Sequence, residues 1–204
     1  MQGTTAWYLA HQSVDLSAGD TAVVFAAAGG VGHLLTQLLV DAGQDVVGVV
    51  GDASKAQVPA EYGARAVVVD SGDPDDLVPA VRRAIAQGAA AVFDANGGPN
   101  ALRDLGMLGP RGMVVYYGTA AGPLPSLDLA ALTVGSLAVR RTRGPDYLAD
   151  PGDWKAAATE IITRLDSGRL RVRIDSTVPL EECGAAHRRL ESRQSAGKVL
   201  LAVS

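Results

Sequence analysis

Six short runs rich in β-branched residues constrain the fold of this chain more than any other feature. They are TAVVFAA (21–27), DVVGVV (45–50), AVVVD (66–70), AAVFD (90–94), MVVYYG (113–118) and SLAVRR (136–141). Each run is nearly continuous in apolar residues, which is typical of parallel strands buried on both faces. Helical patterns separate the runs, and several of these patterns end at a glycine.

This alternation of strand and helix predicts an α/β fold built on a doubly wound, parallel, six-stranded Rossmann sheet. Right-handed crossovers then give the strand order 3-2-1-4-5-6. The 204 residues, 48% of them hydrophobic, favour one well-buried domain over residues 1–204 and exclude a disordered chain. The net charge of −4 gives no general attraction to nucleic acid or to acidic membranes, so neither is an expected partner.

Two segments lie outside the alternation. Residues 1–17 predict a leading helix, and a loop at 142–153 is followed by a long helix. The tail, 170–204, then reads as an extended stretch, a helix and a final apolar strand at 198–203. That final strand has no obvious neighbour in a six-stranded sheet, so we expect it to find another partner or to remain mobile.

A glycine-rich turn, AAGGVG at 27–32, follows the first predicted strand and opens a predicted helix. It is a form of the G-x-G-x-x-G pattern with alanine at the first position. Gly29 would let the backbone approach a pyrophosphate, and Gly32 would let the helix pack closely on its strand. Free N–H groups at the helix start would receive the anion. The alternative, that small residues here serve packing alone, does not require two adjacent glycines.

The end of the second strand should select the dinucleotide, because an acidic residue there binds a free ribose and a basic one binds a 2′-phosphate. This sequence has both an acidic and a basic residue there. Ser54 and Lys55 suit a phosphate, whereas Asp52 would repel one. Lys55 also reads equally well as an ordinary exposed lysine at the start of a helix.

Several separate motifs together resemble one known family. AAAGGVG, Ser54-Lys55-Ala56, VFDANGG, MVVYYGTAAG and AHRRLESRQSAGKVLL occur in the order found in zeta-crystallin-like quinone oxidoreductases, which belong to the zinc-free medium-chain dehydrogenases/reductases. The likeness extends from Gly3 to Val203. It implies hydride transfer from NADPH to quinones, enones or enoyl thioesters, by an enzyme that is usually a homodimer.

The glycine turn, the strand ends and the resemblance together give a set of expected cofactor-binding residues. They are Thr5, Gly29, Gly30, Val31, Gly32, Ser54, Lys55, Asn96, Tyr117, Gly118, Thr119 and Arg193. The resemblance implies that Thr5 lies near the nicotinamide, that Lys55 grips the 2′-phosphate and that Arg193 reaches the cofactor from the tail. Asn96 and Gly118 also follow the carboxyl ends of predicted strands, where ligands of open α/β sheets bind.

Two features depart from the family pattern. Asp70 stands where a tyrosine is usual, and Asp52 stands where a small hydroxyl residue is usual. The resemblance implies NADPH as the cofactor. Two carboxylates near Lys55 would disfavour its dianionic 2′-phosphate, so NADH is kept as an alternative. The family also has a GroES-like catalytic domain before the nucleotide domain. This sequence begins at the helix after it, and 1–17 and 170–204 would contact that domain.

No catalytic constellation is evident, and the catalytic residues stay unassigned. His11, His33 and His187 lack metal-ligand spacing, so no metal site is expected. Cys183 reads as a buried packing residue on an amphipathic helix. The tyrosines at 116 and 117 could donate a proton at the cleft, although strand tyrosines more often serve packing.

The sequence therefore predicts an NAD(P)H-dependent quinone or enone reductase. The alternative is a non-redox biosynthetic enzyme or small-molecule binding protein that reuses the opened cleft, and the chain could also be a fragment of a longer protein. The edge strand at 136–141 would pair two copies into a homodimer, or a separate partner chain would complete the cleft. One cysteine and no visible targeting segment indicate the cytoplasm.

Overall fold

A computed structural model describes residues 1–203 and shows one six-stranded sheet in the order β3-β2-β1-β4-β5-β6, with every neighbouring pair parallel. The strands are β1 (Thr21–Phe25), β2 (Asp45–Val50), β3 (Ala66–Val69), β4 (Ala89–Asp94), β5 (Leu108–Tyr116) and β6 (Ala138–Arg141). Both the α/β fold class and the predicted strand order are therefore confirmed.

Helices cover both faces of this sheet. They are α1 (Gln2–His11), α2 (Gly32–Asp41), α3 (Gln57–Glu61), α4 (Pro74–Ala84), α5 (Gly144–Tyr147), α6 (Pro151–Asp166) and α7 (Cys183–Glu191). One hydrophobic core joins α1, α2 and α6 to the sheet, and a second joins α4 and the 3₁₀ segment Ala101–Met107 to the opposite face. Successive strand residues alternate between these cores, which explains the nearly continuous apolar runs.

The final strand does have a partner. β7 (Ile174–Pro179) and β8 (Lys198–Ala202) form a separate two-stranded parallel sheet, connected by α7. The extended stretch that precedes α7 thus supplies the neighbour that the sequence pattern did not reveal. This tail sheet leaves apolar side chains on its surface, since Ile174 is 46% and Leu201 is 40% exposed.

Several predicted boundaries change in the structure. The leading helix ends at His11 rather than continuing to residue 17, and the fifth strand begins at Leu108 because a register irregularity extends it. Ser136 has a φ of 54°, outside the extended region, so the edge strand begins only at Ala138. Within the described residues, no helix is long and apolar enough to cross a membrane.

Candidate functional site

The glycine-rich turn connects the end of β1 to the start of α2. Ala26 takes a φ of 49°, a left-handed conformation that normally favours glycine, and reverses the chain just after the strand. The Gly29 N–H group then donates to the Ala26 carbonyl oxygen at 2.7 Å, which closes the turn. α2 begins at Gly32, as the motif predicts.

Gly32 has no room for a side chain. A Cβ atom there would lie 2.2 Å from the carbonyl oxygen of Ala26, a backbone atom that cannot move without distorting the turn. Glycine is therefore required for the close approach of α2 to β1, as the sequence pattern predicts.

The start of α2 offers free donors. Within the described chain, 1–203, the N–H groups of Gly30, Val31 and Gly32 donate to no protein oxygen. They lie at the positive end of the helix dipole, where an anion is stabilised. The geometry of the turn thus fits a pyrophosphate group.

His33 connects this turn to the tail. Its Nδ1–H donates to the Gly29 carbonyl oxygen at 2.7 Å, while the Arg173 N–H donates to its Nε2 at 3.3 Å. Burial lowers the pKa of His33 and outweighs the hydrogen bond to Gly29, and the nearby charges of Arg173 and Lys198 lower it further. A neutral imidazole with its hydrogen on Nδ1 makes both bonds. The sequence pattern did not predict that His33 would connect the glycine turn to the tail.

Gln2 and Lys198 also reach the turn, and the sequence analysis missed both. A Cβ on Gly30 would lie 2.1 Å from the amide nitrogen of Gln2, so that amide covers the glycine. The Lys198 ammonium donates to Gln2 Oε1 at 3.2 Å, which fixes the amide with its NH₂ group toward the turn. Thr5, one turn further along α1, is half-buried on the same helix.

Lys55 and Arg193 meet across the cleft. The Lys55 ammonium donates to the Arg193 carbonyl oxygen, and Arg193 Nη2 donates to the Ala120 carbonyl oxygen at 2.7 Å. The structure therefore brings Lys55 close to Arg193 of the tail, and Arg193 close to Ala120, the residue after Thr119. Ser54 lies next to them and is exposed.

The two unexpected carboxylates have different surroundings. Asp70 forms an ion pair with Arg103 at 2.6 Å, and both side chains are less than one fifth exposed. Asp52 instead caps the 3₁₀ segment Ala53–Lys55, where its Oδ1 accepts the Ser54 N–H at 2.8 Å. Hydrogen bonds from Ser54 lower the pKa of the exposed Asp52 carboxyl. Arg103 therefore balances the charge of Asp70, whereas Asp52 is bonded to a backbone N–H group.

Asn96 and Gly118 lie side by side where β4 and β5 end. The Ala121 N–H donates to the Asn96 carbonyl oxygen at 2.7 Å, and a Cβ on Gly118 would lie 2.1 Å from the carbonyl oxygen of Ala95. Asp94 accepts the N–H groups of Asn96 at 2.6 Å and of Gly97 at 2.9 Å. These contacts hold the two loops together at the carboxyl edge of the sheet.

Neither Tyr116, which ends β5, nor Tyr117, which follows it, presents a free hydroxyl to the cleft. Tyr116 is buried and donates to the Ala101 carbonyl oxygen at 2.7 Å. The Tyr117 hydroxyl is buried and has no hydrogen-bond partner among the described residues. Burial, together with Asp94 and Tyr8, raises its pKa. The packing interpretation fits both side chains better than proton donation does, and Tyr117 contributes its backbone to the strand end.

Other residues considered from the sequence lie away from the turn. Cys183, expected to be buried, is an exposed free thiol because it starts α7 on the surface of the tail. His11 lies 3.4 Å from Glu160, between α1 and α6, and His187 is exposed on α7. No cluster of three or more His, Cys, Asp or Glu side chains suited to a metal ion occurs among residues 1–203.

The parallel sheet, the constrained glycine turn and the free amides at the start of α2 define a Rossmann-type dinucleotide-binding domain. The family described as zinc-binding dehydrogenase matches residues 30–164, and the chain belongs to this family.

Known proteins of this kind match almost the whole chain. The quinone oxidoreductase of Pseudomonas aeruginosa is 29% identical over 98% of this chain, and quinone oxidoreductase 1 of Escherichia coli is 30% identical over the same share. Among solved structures, a mycobacterial protein in complex with NADPH has a TM-score of 0.93 at 31% identity, covering 100% of this chain and 64% of that one. The Escherichia coli quinone oxidoreductase complexed with NADPH has a TM-score of 0.91 at 30% identity, covering 99% of this chain and 63% of that one. The chain spans 62% of the length of the two curated relatives.

Proposed function

We propose that the chain binds NADPH and acts as a quinone or enone reductase. The observation that carries this proposal is the set of unpaired N–H groups of Gly30, Val31 and Gly32 at the start of α2. They would hold the pyrophosphate, and the amide of Gln2, which lies against Gly30, would approach it. The bound cofactor would supply a hydride to an electron-poor acceptor.

The phosphorylated form of the cofactor is favoured by the residues after β2. Lys55 would exchange its bond to the Arg193 carbonyl oxygen for the 2′-phosphate. The ion pair between Asp70 and Arg103 removes one of the two carboxylates that would repel that phosphate. The remaining carboxylate, Asp52, is bonded to a backbone N–H group and exposed, so water screens its charge.

A second chain would complete the site. β6 ends the sheet with an unpaired edge, and the segment before it exposes Leu129 (73%) and Val134 (79%). These features support a homodimer through the edge strand, although a separate partner chain could also cover the apolar residues of the tail sheet. Sedimentation should show a dimer that dissociates in Val134→Lys; a wild-type monomer at micromolar concentration would contradict the edge-strand dimer.

Calorimetric titration with NADPH and NADH tests the cofactor proposal. NADPH should bind at micromolar concentration, and Lys55→Ala should weaken NADPH about tenfold or more while changing NADH little, since a charge-assisted bond is lost only with the 2′-phosphate. Lys155→Ala, an exposed lysine on α6, is the matched control and should change neither affinity.

Turnover is tested separately by adding quinones and enones to the protein with NADPH and following loss of the reduced nicotinamide absorbance. Binding without oxidation of NADPH, even with the partner subunit present, would overturn the reductase assignment and keep the nucleotide site. Failure to bind either dinucleotide would instead favour the non-redox alternative. The zinc-free character of the site and a cytoplasmic location remain part of this proposal.

A further inference from the structure

A buried pair of carboxyl groups lies beneath the loop that carries Asn96. Asp94 ends β4 and Asp104 lies in the 3₁₀ segment Ala101–Met107, and each residue is 1% exposed. The two carboxyl groups lie close enough for each to shift the pKa of the other. Buried carboxyl groups of this kind are rare unless each is paired with a cation or shares a proton.

The hydrogen bonds around the pair favour a proton on Asp104 rather than on Asp94. The carboxylate of Asp94 accepts the N–H groups of Asn96 and Gly97, so both its oxygens already act as acceptors. Asp104 Oδ2 is buried and receives no hydrogen bond from any donor among the described residues. A carboxylate oxygen in that position would be strongly destabilised, whereas a protonated Asp104 can donate to Asp94.

Charges from every neighbouring element surround the pair. Arg103, beside Asp104 in the chain, attracts both carboxylates but is itself bonded to Asp70, which follows β3. β5 contributes the neutral phenol of Tyr116, and α4 contributes Arg82, whose guanidinium is bonded to the carbonyl oxygens of Gly106 and Leu108. Burial first and Asp94 second raise the pKa of Asp104 to about 9, and burial also raises the pKa of Asp94.

We propose that Asp104 is a positioning residue for the cofactor cleft: as a neutral acid it donates to Asp94 and thereby holds the turn of Asn96 and Gly97 in place. Backbone hydrogen bonds join this turn and its two flanking residues to residues 120–122: the N–H groups of Ala120 and Ala121 donate to the carbonyl oxygens of Ala95 and Asn96, and the Gly98 N–H donates to that of Gly122. The same loop accepts a hydrogen bond from the Arg193 guanidinium at the Ala120 carbonyl oxygen. Loss of the Asp104 proton to solvent leaves two facing carboxylates, whose repulsion would displace Asp94 from its N–H donors. The effect of Asp104 on NADPH binding rests on the proposed function, whereas the proton shared between Asp104 and Asp94 does not.

Carbon-13 NMR of the aspartate carboxyl groups tests the proton directly, without any cofactor. In the wild-type protein the Asp104 carboxyl should titrate near pH 9, and the amide signals of Asn96 and Gly97 should shift over the same range. In Asp104→Asn those two amides should show no such transition, because an amide donates to Asp94 at every pH. An Asp104 carboxyl that titrates near pH 4, or unchanged amide transitions in Asp104→Asn, would overturn the proposal.

NADPH titrations at pH 7 and pH 10 then test positioning. Wild-type affinity should fall about tenfold or more between these values, as expected when a hydrogen bond to a charged group is lost. Asp104→Asn should lack that fall, and Asp104→Leu, which cannot donate, should bind weakly at both. Equal pH profiles for the wild type and Asp104→Asn would contradict positioning, and absence of binding in all three would count against the NADPH proposal alone.

Discussion

The central sheet and the tail sheet are both parallel, yet they differ in how they bury apolar side chains. Val23 and Val114 of the central sheet are 0% exposed, with a hydrophobic core on each face. Ile174 and Leu201 of the tail sheet remain 46% and 40% exposed. Parallel sheets normally have both faces covered, as the central sheet does, whereas the tail sheet leaves apolar side chains exposed.

The candidate site lies between these two regions. The central sheet supplies the glycine turn and the strand ends, while the tail supplies Lys198 beside Gln2 and Arg193 beside Lys55. The more buried region therefore carries the free N–H groups of the glycine turn, and the less buried tail supplies side chains beside them. The difference predicts which substitutions destabilise the fold and which affect ligand binding alone.

The largest effect should come from the glycine turn. Gly32→Ala places a Cβ 2.2 Å from the Ala26 carbonyl oxygen, so either the turn or α2 must move. We expect a loss of about 3 kcal/mol in the free energy of unfolding, measured by urea denaturation, together with loss of NADPH binding.

Gly51→Ala is the control for this substitution. A Cβ at Gly51 meets no atom within 4 Å, and its φ is not positive, so its stability should change little. Equal stabilities for both variants would show that the close approach at Gly32 is not required.

A matched pair of leucines tests the comparison itself. Leu35→Ala in α2 removes a side chain that is 0% exposed and should cost about 3 kcal/mol, because a cavity remains in the core. Leu201→Ala in β8 removes a side chain that is 40% exposed and should cost less than about 1 kcal/mol. Chemical denaturation of both variants measures the difference. A similar loss at Leu201 would mean that the tail sheet is buried in solution, for example against a partner.

The pH dependence of stability should have opposite signs in the two regions. The raised pKa of Asp104 means that the folded protein holds an extra proton between about pH 4 and about pH 9, so stability falls as pH rises through that range. One such proton gives a slope of up to about 1.4 kcal/mol per pH unit. Burial alone would raise the pKa of Asp175 in the tail, but hydrogen bonds from Arg189 and from the Ala196 N–H lower it. The contribution of the Asp175 carboxylate to stability is therefore lost only as pH falls below about 4.

Denaturation curves from pH 3 to pH 10 separate these contributions. Asp104→Asn should reduce the fall in the free energy of unfolding toward alkaline pH, which forms the alkaline limb of the pH profile. Asp175→Asn should reduce only the fall at acid pH. An alkaline limb that persists unchanged in Asp104→Asn would assign the proton to another group.

Short-range sequence patterns were sufficient for the central sheet and for the glycine turn, because apolar runs and the spacing of glycines are local signals. They did not identify contacts between residues far apart in sequence. The sequence predicts that Asp70 repels a phosphate, but the structure pairs this carboxylate with Arg103. The hydrogen bond between the Arg173 N–H and His33 was also not predicted. The partner of β8 was missed for the same reason, since pairing within the tail depends on the crossover through α7.

Amide NMR during titration with NADPH tests the central claim most directly. The account predicts saturable shifts of the Gly30, Val31 and Gly32 amide signals that exceed those elsewhere in the chain, because these three N–H groups would receive the pyrophosphate. Unchanged signals for all three at millimolar NADPH would contradict the nucleotide site, and with it the proposed reductase activity.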